Sequence, residues 1–474
     1  MLCLELIDAG LLLAQRMDKS MDQSSGDTIE ILGDAPGFAI LEDGMTLTGK
    51  QAAQRAKLKP LLAHSTFWRG LSTEPLARPS RLARTTADIA YAQAAALLEP
   101  HKSTHALLLA IPAGYSREQL GLLLGIIKET GITVAGLVDA ALAACSNEPA
   151  AARVLHLDLE LHQALLSVLE YVGGDKPGLR RSRYEILARH GVLSLQQAWM
   201  QMIAENFIRK TRFDPLHDAN MEQRLADQLP AWLEDLREKS SVTLQMQFND
   251  RPLQIELERE QFIDAADKHY AALLKLVQDA RVAGMPIELR VSQRVAAMPG
   301  LVERLSSLRD CELRVLTQGA AALGALNHES AIARPADSLA LVYQLPVPRA
   351  ETSAMTSAGL AATPPQLRPT HVLFQGRAWT ISDQPLAIGW SLEGKARALA
   401  LPSSSPGVSR SHCTLIRRNG SVVVEDHSTY GSFVNEERVV GSTPLTVGDR
   451  LRLGAPGVTL DLIQLVNDDG APQD

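Results

Sequence analysis

The chain has 474 residues, 46% hydrophobic and 21% charged, a length that favours two to four domains and a composition that folds without metal or disulfide staples. Its 47 Lys and Arg against 54 Asp and Glu leave a net charge of -7, which repels polyphosphates and argues against nucleic acid as a partner. The four cysteines, Cys3, Cys145, Cys311 and Cys413, lack paired metal-ligand spacing and sit in apolar or strand-like runs, which points to no metal site and to a reducing cytoplasm.

The opening MLCLELIDAGLLLAQ carries Glu5 and Asp8 inside its apolar stretch and has no basic start, so it reads as a strand and turn rather than a leader. No later segment offers about 18 uninterrupted apolar residues, which argues against a membrane span. HALLLAIPA reads as a strand, a helix is predicted from Arg117 to Thr130, ITVAGLV as a further strand, and an Ala-rich helix from Asp139 to Cys145. Such alternation predicts an α/β sheet. The pattern then repeats with VLHLDLE and LLSVLEYV, a long helical block from Leu195 to Glu238, and the strand pair VTLQMQF and LQIELE.

Between about Ser330 and Pro369 the sequence turns rich in Ala, Ser, Thr and Pro, which disfavours regular structure. Leu339 to Leu345 is apolar enough to add a last strand to the preceding domain, so the linker is expected from Pro346 to Pro369. From His371 to Val466, short alternating runs are punctuated by turns at QGR, RRNG, STYGS and VGDR, an all-β pattern. The expected domains are therefore 1–345, a linker at 346–369, and 370–468.

In the last region, PLAIGW, GVSRSHCTLI, VVVEDHSTYGSFVNEERV and LTVGDRLRLG follow one another in the order and spacing of the forkhead-associated (FHA) family, which this region resembles along its full length. The resemblance implies a β-sandwich whose loops at one end take a phosphothreonine peptide. It assigns Ser409 to the phosphate contact, with Arg410 beside it as a second donor and Thr429 in the facing turn. Gly389, His412, Gly431 and Asn435 are assigned to the loop framework. Two positions depart from the family pattern. Trp390 stands where an arginine normally anchors the phosphate, and Tyr430 where an asparagine normally bonds the peptide backbone.

Hydrogen bonds to a charged group contribute about 1.5 to 3 kcal/mol each, so these two changes predict weak phosphothreonine binding, with Trp390 and Tyr430 acting instead as aromatic anchors. Lys395 and Arg397, in the next loop, are the candidate replacement cations. Thr352, Thr356 and Thr363 in the linker are candidate internal targets.

From Leu2 to about Leu326, several segments in order resemble the nucleotide-binding domain of DnaK-type heat-shock chaperones, a member of the actin-like ATPase fold. LIDAG, with Asp8 and Gly10, stands where that family has its first phosphate loop, and VLHLDLELHQALLSVLEY, with Asp158, where it has the second. RVSQRVAAMPGLVERL stands in place of the adenosine loop, and VLTQGAAALGALN in place of the closing helix. The resemblance implies a two-lobed domain with a cleft.

The phosphate chemistry is altered. Leu11, Leu12 and Leu13 replace the hydroxyl residues of the first loop. Leu159, Glu160, Leu161 and His162 replace the glycines of the second, and Ser292 and Gln293 those of the adenosine loop. Glycines are what let backbone N–H groups turn onto phosphate oxygens. Asp8, Gly10 and Asp158 are left as the candidate residual nucleotide cleft, where the two aspartates read as turn or cap residues or as ligands of hydrated magnesium beside ATP, and no catalytic residue is assigned.

The expected fold is multidomain, an α/β actin-like two-lobed domain followed by an all-β FHA sandwich. The expected function is a bacterial-type signalling or scaffold adaptor, with no enzyme activity, no cofactor and a protein partner. The alternative is a chaperone-like ATPase that reads phosphothreonine through the FHA domain.

Overall fold

The computed structural model describes residues 1–17, 29–103, 106–174, 176–248, 251–281, 286–350, 369–374, 377–392, 394–402, 407–418, 421–434, 437–439, 441–454 and 457–464. The chain divides into two compact units, Met1–Ser353 and Ala354–Asp474.

The first unit is built on two six-stranded mixed sheets with the same internal plan. In the first sheet, Leu2–Glu5, Leu11–Arg16 and Ile29–Ala35 form an antiparallel meander. Ala106–Ile111 and Thr133–Asp139 continue it in parallel on the other side of Leu2–Glu5. In the second sheet, Arg153–Leu159, Gln163–Val172 and Gly178–Ala188 form the meander, and Ile287–Val291 and Cys311–Val315 the parallel pair. The central strands LCLE and ALLLAI are apolar along their length because both faces of a parallel sheet core are covered.

Helices Thr86–Leu98 and Arg117–Glu129 cover one face of the first sheet, and both open with capping boxes, Thr85 with Asp88 and Ser116 with Gln119. On the other face, Ala320–Asn327 crosses Ala140–Ala144 so closely that a Cβ on Gly324 would stand 1.8 Å from the Ala143 carbonyl oxygen. Only small residues permit that approach, which accounts for the Ala- and Gly-rich composition of both segments.

The helical block expected from Leu195 to Glu238 is two helices, Val192–Thr211 and Ala219–Asp235. The break has local causes: Arg212 adopts φ 64°, and Asp218 caps the second helix through the backbone N–H groups of Asn220 and Met221. The hairpin Ser241–Phe248 with Arg251–Glu258 completes this insertion.

The strand expected between Leu339 and Leu345 serves both sheets. Leu341–Val342 runs parallel to Thr133–Asp139, and Gln344–Leu345 then pairs antiparallel with Gly178–Ala188. The chain stays on this unit past Pro346, since Ala150 N–H donates to the Pro348 carbonyl at 3.0 Å and Ala350 N–H to the Ala150 carbonyl at 2.9 Å. The linker candidates Thr352, Thr356 and Thr363 lie outside the described residues.

The second unit is a sandwich of two sheets. One runs Arg377–Thr380, His371–Phe374, Val458–Ile463, Arg450–Leu453, Ser432–Val434, Glu437–Arg438. The other runs Ala398–Ala400, Leu386–Gly389, Cys413–Arg418, Ser421–Asp426, Ser442–Leu445. Alternate residues such as Val422 and Val424, Leu451 and Leu453, and Leu460 and Leu462 point inward and form the core, as the period of two requires.

Candidate functional site

Two places were marked by the sequence, and the structure treats them differently. In the first unit, a cavity of about 480 Å³ is lined among others by Glu5, Gly10, Asp34, Asp158, Arg294 and Gly319. Of the three residues expected to form a residual nucleotide cleft, Gly10 and Asp158 line this cavity and Asp8 does not.

Their charges are bonded to one another. Arg294 donates from Nη2 to Glu5 Oε1 and to Asp158 Oδ2, both at 2.8 Å, and from Nε to Asp158 Oδ1 at 3.0 Å. Ser292 Oγ also donates to Asp158. Burial alone would raise the Asp158 pKa, but the Arg294 charge and hydrogen bonds bring it below the ordinary carboxylate range. Burial pushes Glu5 up, with Arg294 only partly opposing.

Asp8 is also engaged, since its Oδ1 accepts from Leu161 N–H at 2.7 Å, tying the turn after the first strand to the turn after Arg153–Leu159. Its pKa is raised by burial. Glu160 accepts from Arg69 Nη1 at 3.1 Å and from Gln163, and burial, with the Asp8 charge next, pushes its pKa up to about 7. Leu11, Leu12 and Leu13 lie in a strand with their side chains in the hydrophobic core, and offer the cavity no hydroxyl. Among the described residues, no group of three or more His, Cys, Asp and Glu is arranged to hold a metal ion.

In the second unit, the loops at one end of the sandwich bring together nearly all the residues singled out there. Gly389 ends its strand against the next loop, where a Cβ would stand 2.1 Å from the Arg410 carbonyl oxygen, and that oxygen accepts from Ser391 N–H at 3.0 Å. Glycine at 389 is thus what lets the Trp390 loop seat against the Ser409–Arg410 loop.

His412 is fully buried and joins three segments. Its Nδ1 accepts from Ser409 N–H at 2.9 Å, and its Nε2 reaches the Gly431 carbonyl oxygen at 3.2 Å. An Nδ1 that accepts leaves the proton on Nε2, so the ring works as a neutral brace, and burial lowers its pKa accordingly.

The turn after Ser421–Asp426 is tied internally. Asp426 Oδ1 accepts from Ser428 Oγ and Ser432 Oγ at 2.8 Å each, and Ser428 Oγ accepts from Gly431 N–H at 2.8 Å. Burial would raise the Asp426 pKa, but these bonds lower it. Gly431 takes φ 86°, which glycine adopts without strain.

Ser409 is the residue to which the FHA resemblance assigns the phosphate contact. Its Oγ accepts from Thr429 N–H at 3.2 Å, which fixes the hydroxyl and leaves its proton to donate. Arg410 and Thr429 are exposed beside it, Trp390 is 40% exposed and Tyr430 61% exposed.

Of the two replacement cations, Lys395 is exposed. Arg397 is committed elsewhere, donating to the Thr380 and Gln384 carbonyls and to Ser382 Oγ. It braces the sandwich and is unavailable to a ligand. Asn435 lies outside the described residues.

Residues 388–454 match the family model of the FHA domain. The second unit carries an FHA domain. It is a protein-interaction module of the kind that takes phosphothreonine-bearing partners. No curated protein matches the chain. Among the described residues, no helix is long and apolar enough to cross a membrane.

Two residues at these places, Arg294 and Arg438, are not legible in the sequence. Arg294 lies one position beyond Gln293, and its partners are remote in sequence. Arg438, discussed below, comes close to the FHA loops only through the pairing of Phe433 with Arg438. Neither carries a local signal.

Proposed function

We propose that the protein is an adaptor of the signalling or scaffold type, in which the FHA domain captures a partner protein and the first unit is a non-hydrolysing, actin-like platform. The observation that carries the binding role is the Ser409 hydroxyl, held by Thr429 N–H with its proton free and the exposed Arg410 next to it. A phosphate oxygen accepts from such a hydroxyl, and a guanidinium beside it adds a charge-assisted bond.

The platform role draws support from the repeated sheet plan of the first unit and from the resemblance of its segments to DnaK-type chaperones. Loss of hydrolysis draws support from Arg294, whose charge is taken by Glu5 and Asp158. Catalysis of phosphoryl transfer needs donors and metal ligands free to meet a γ-phosphate. Here Asp158 is neutralised by Arg294, and the Asp8 carboxylate is engaged by Leu161 N–H. A cytoplasmic setting fits the four cysteines, all of which are free thiols.

The test is to present the full chain to a peptide library with a fixed phosphothreonine and to its unphosphorylated counterpart. Binding of the phosphorylated library alone, reduced by Ser409→Ala, is the expected result. Equal binding of both libraries would overturn the phosphate-reading role.

A further inference from the structure

The Arg438 side chain folds back from the two-residue strand Glu437–Arg438 onto the turn that holds Ser409 in place. Its Nε lies 2.9 Å, and its Cζ and Nη2 3.4 Å, from the point where a Cβ on Gly431 would stand. The guanidinium therefore occupies the space that the glycine leaves open. Gly431 is two residues from Thr429, whose N–H bonds the Ser409 hydroxyl, so the cation packs on the turn that holds that hydroxyl.

Arg438 is exposed. Among the described residues its guanidinium makes no hydrogen bond and no ion pair. Two other arginines of the sandwich differ in this respect. Arg452 lies 4.1 Å over the Phe433 ring and donates to the Gly454 carbonyl, and Arg397 is spent on the sandwich. A guanidinium whose position is set by packing on a glycine, while its donors remain unspent, loses little freedom on binding an anion.

We propose, resting on the phosphothreonine reading above, that Arg438 supplies the cation that the sequence lacks at Trp390, and that the FHA domain holds the phosphate between Arg410 and Arg438. A phosphothreonine carries a charge of about -1.5 to -2 and three acceptor oxygens. Two guanidiniums and the Ser409 hydroxyl match that demand in charge and in donors, and the planar fork of arginine bonds two phosphate oxygens at once where lysine offers a point charge. Recognition is then phosphate-dependent, contrary to the aromatic mode that Trp390 and Tyr430 suggest by themselves.

The experiment titrates the full chain with a fluorescent degenerate peptide pool carrying a central phosphothreonine, and with the same pool carrying glutamate there. Arg438→Gln is expected to weaken phosphothreonine binding roughly 10- to 100-fold, to flatten its salt dependence, and to leave the melting temperature unchanged. Arg438→Lys should recover part of the loss. Arg309→Gln, which removes an exposed charge from the first unit, should change nothing.

Wild-type affinity in Arg438→Gln with loss in Ser409→Ala would overturn the role of Arg438 and leave the FHA reading standing. Failure of the wild-type chain to prefer phosphothreonine over glutamate would overturn both.

Discussion

The cleft of the first unit and the loop face of the second contain the same kinds of groups, arginines beside small polar residues at the ends of strands. They differ in what those groups are bonded to. In the cleft, Arg294 is shared by Glu5 and Asp158, Asp8 holds Leu161 N–H, and Glu160 is tied to Arg69 and Gln163. On the FHA face, the Ser409 hydroxyl keeps a proton to give, and Arg410 and Arg438 face solvent. A binding site is made of interaction capacity that folding has not used. By that criterion, the proposed place of recognition is the loop face rather than the cavity.

The largest effect expected from this contrast is on stability. Arg294→Ala leaves two buried carboxylates without their cation, and breaking a buried pair in this way costs about 3 to 5 kcal/mol. Denaturant unfolding of the first unit should show it, and a near-neutral result would mean that the cleft charges are open to solvent or ligand after all. Next comes Ser409→Ala, expected to lose about 1.5 to 3 kcal/mol of phosphothreonine binding, roughly 10- to 100-fold, with the melting curve unchanged. Peptide titration of the full chain measures both halves of that claim.

Much of this was legible in the sequence. The helix predicted from Arg117 to Thr130 is Arg117–Glu129, because Ser116 and Gln119 form its capping box and Gly131 follows its end. The loop framework of the FHA domain was also readable, because Ser409, His412 and Gly431 work at fixed short spacings that turns and hydrogen bonds dictate. What escaped depends on distance along the chain. Arg294 meets Glu5 across 289 positions, and no local pattern announces such a pair. The fate of Arg397 was unreadable for a similar reason, since whether a loop cation faces ligand or carbonyl oxygens is decided by the neighbouring strand ends. The division of the helical block at Arg212 depends on a single left-handed residue, which arginine composition does not signal.

A smaller effect separates the two regions by pH. The pKa of Glu160 rises from 4.5 to about 7 in the folded chain, so between these values the native state binds more protons than the unfolded one. Stability therefore falls as pH rises through that window and levels off above it. Glu160→Gln should flatten this dependence, as thermal melts at stepped pH would show, while leaving phosphopeptide affinity unaltered. The smallest effect is expected at Trp390. With the phosphate carrying recognition, Trp390→Ala should weaken peptide binding less than Ser409→Ala does. A reversed ranking in the same titration would return recognition to the aromatic mode that the sequence alone suggested.

Hydrogen exchange on the full chain, run with ATP and magnesium and separately with a phosphothreonine peptide pool, compares the two regions in one measurement. Phosphopeptide is expected to slow exchange around Ser409, Thr429 and Gly431 and to leave the cleft strands unchanged, and nucleotide to slow exchange in neither region. Protection by nucleotide of the segments around Asp8 and Asp158, with no protection of the FHA loops by phosphopeptide, would contradict the account.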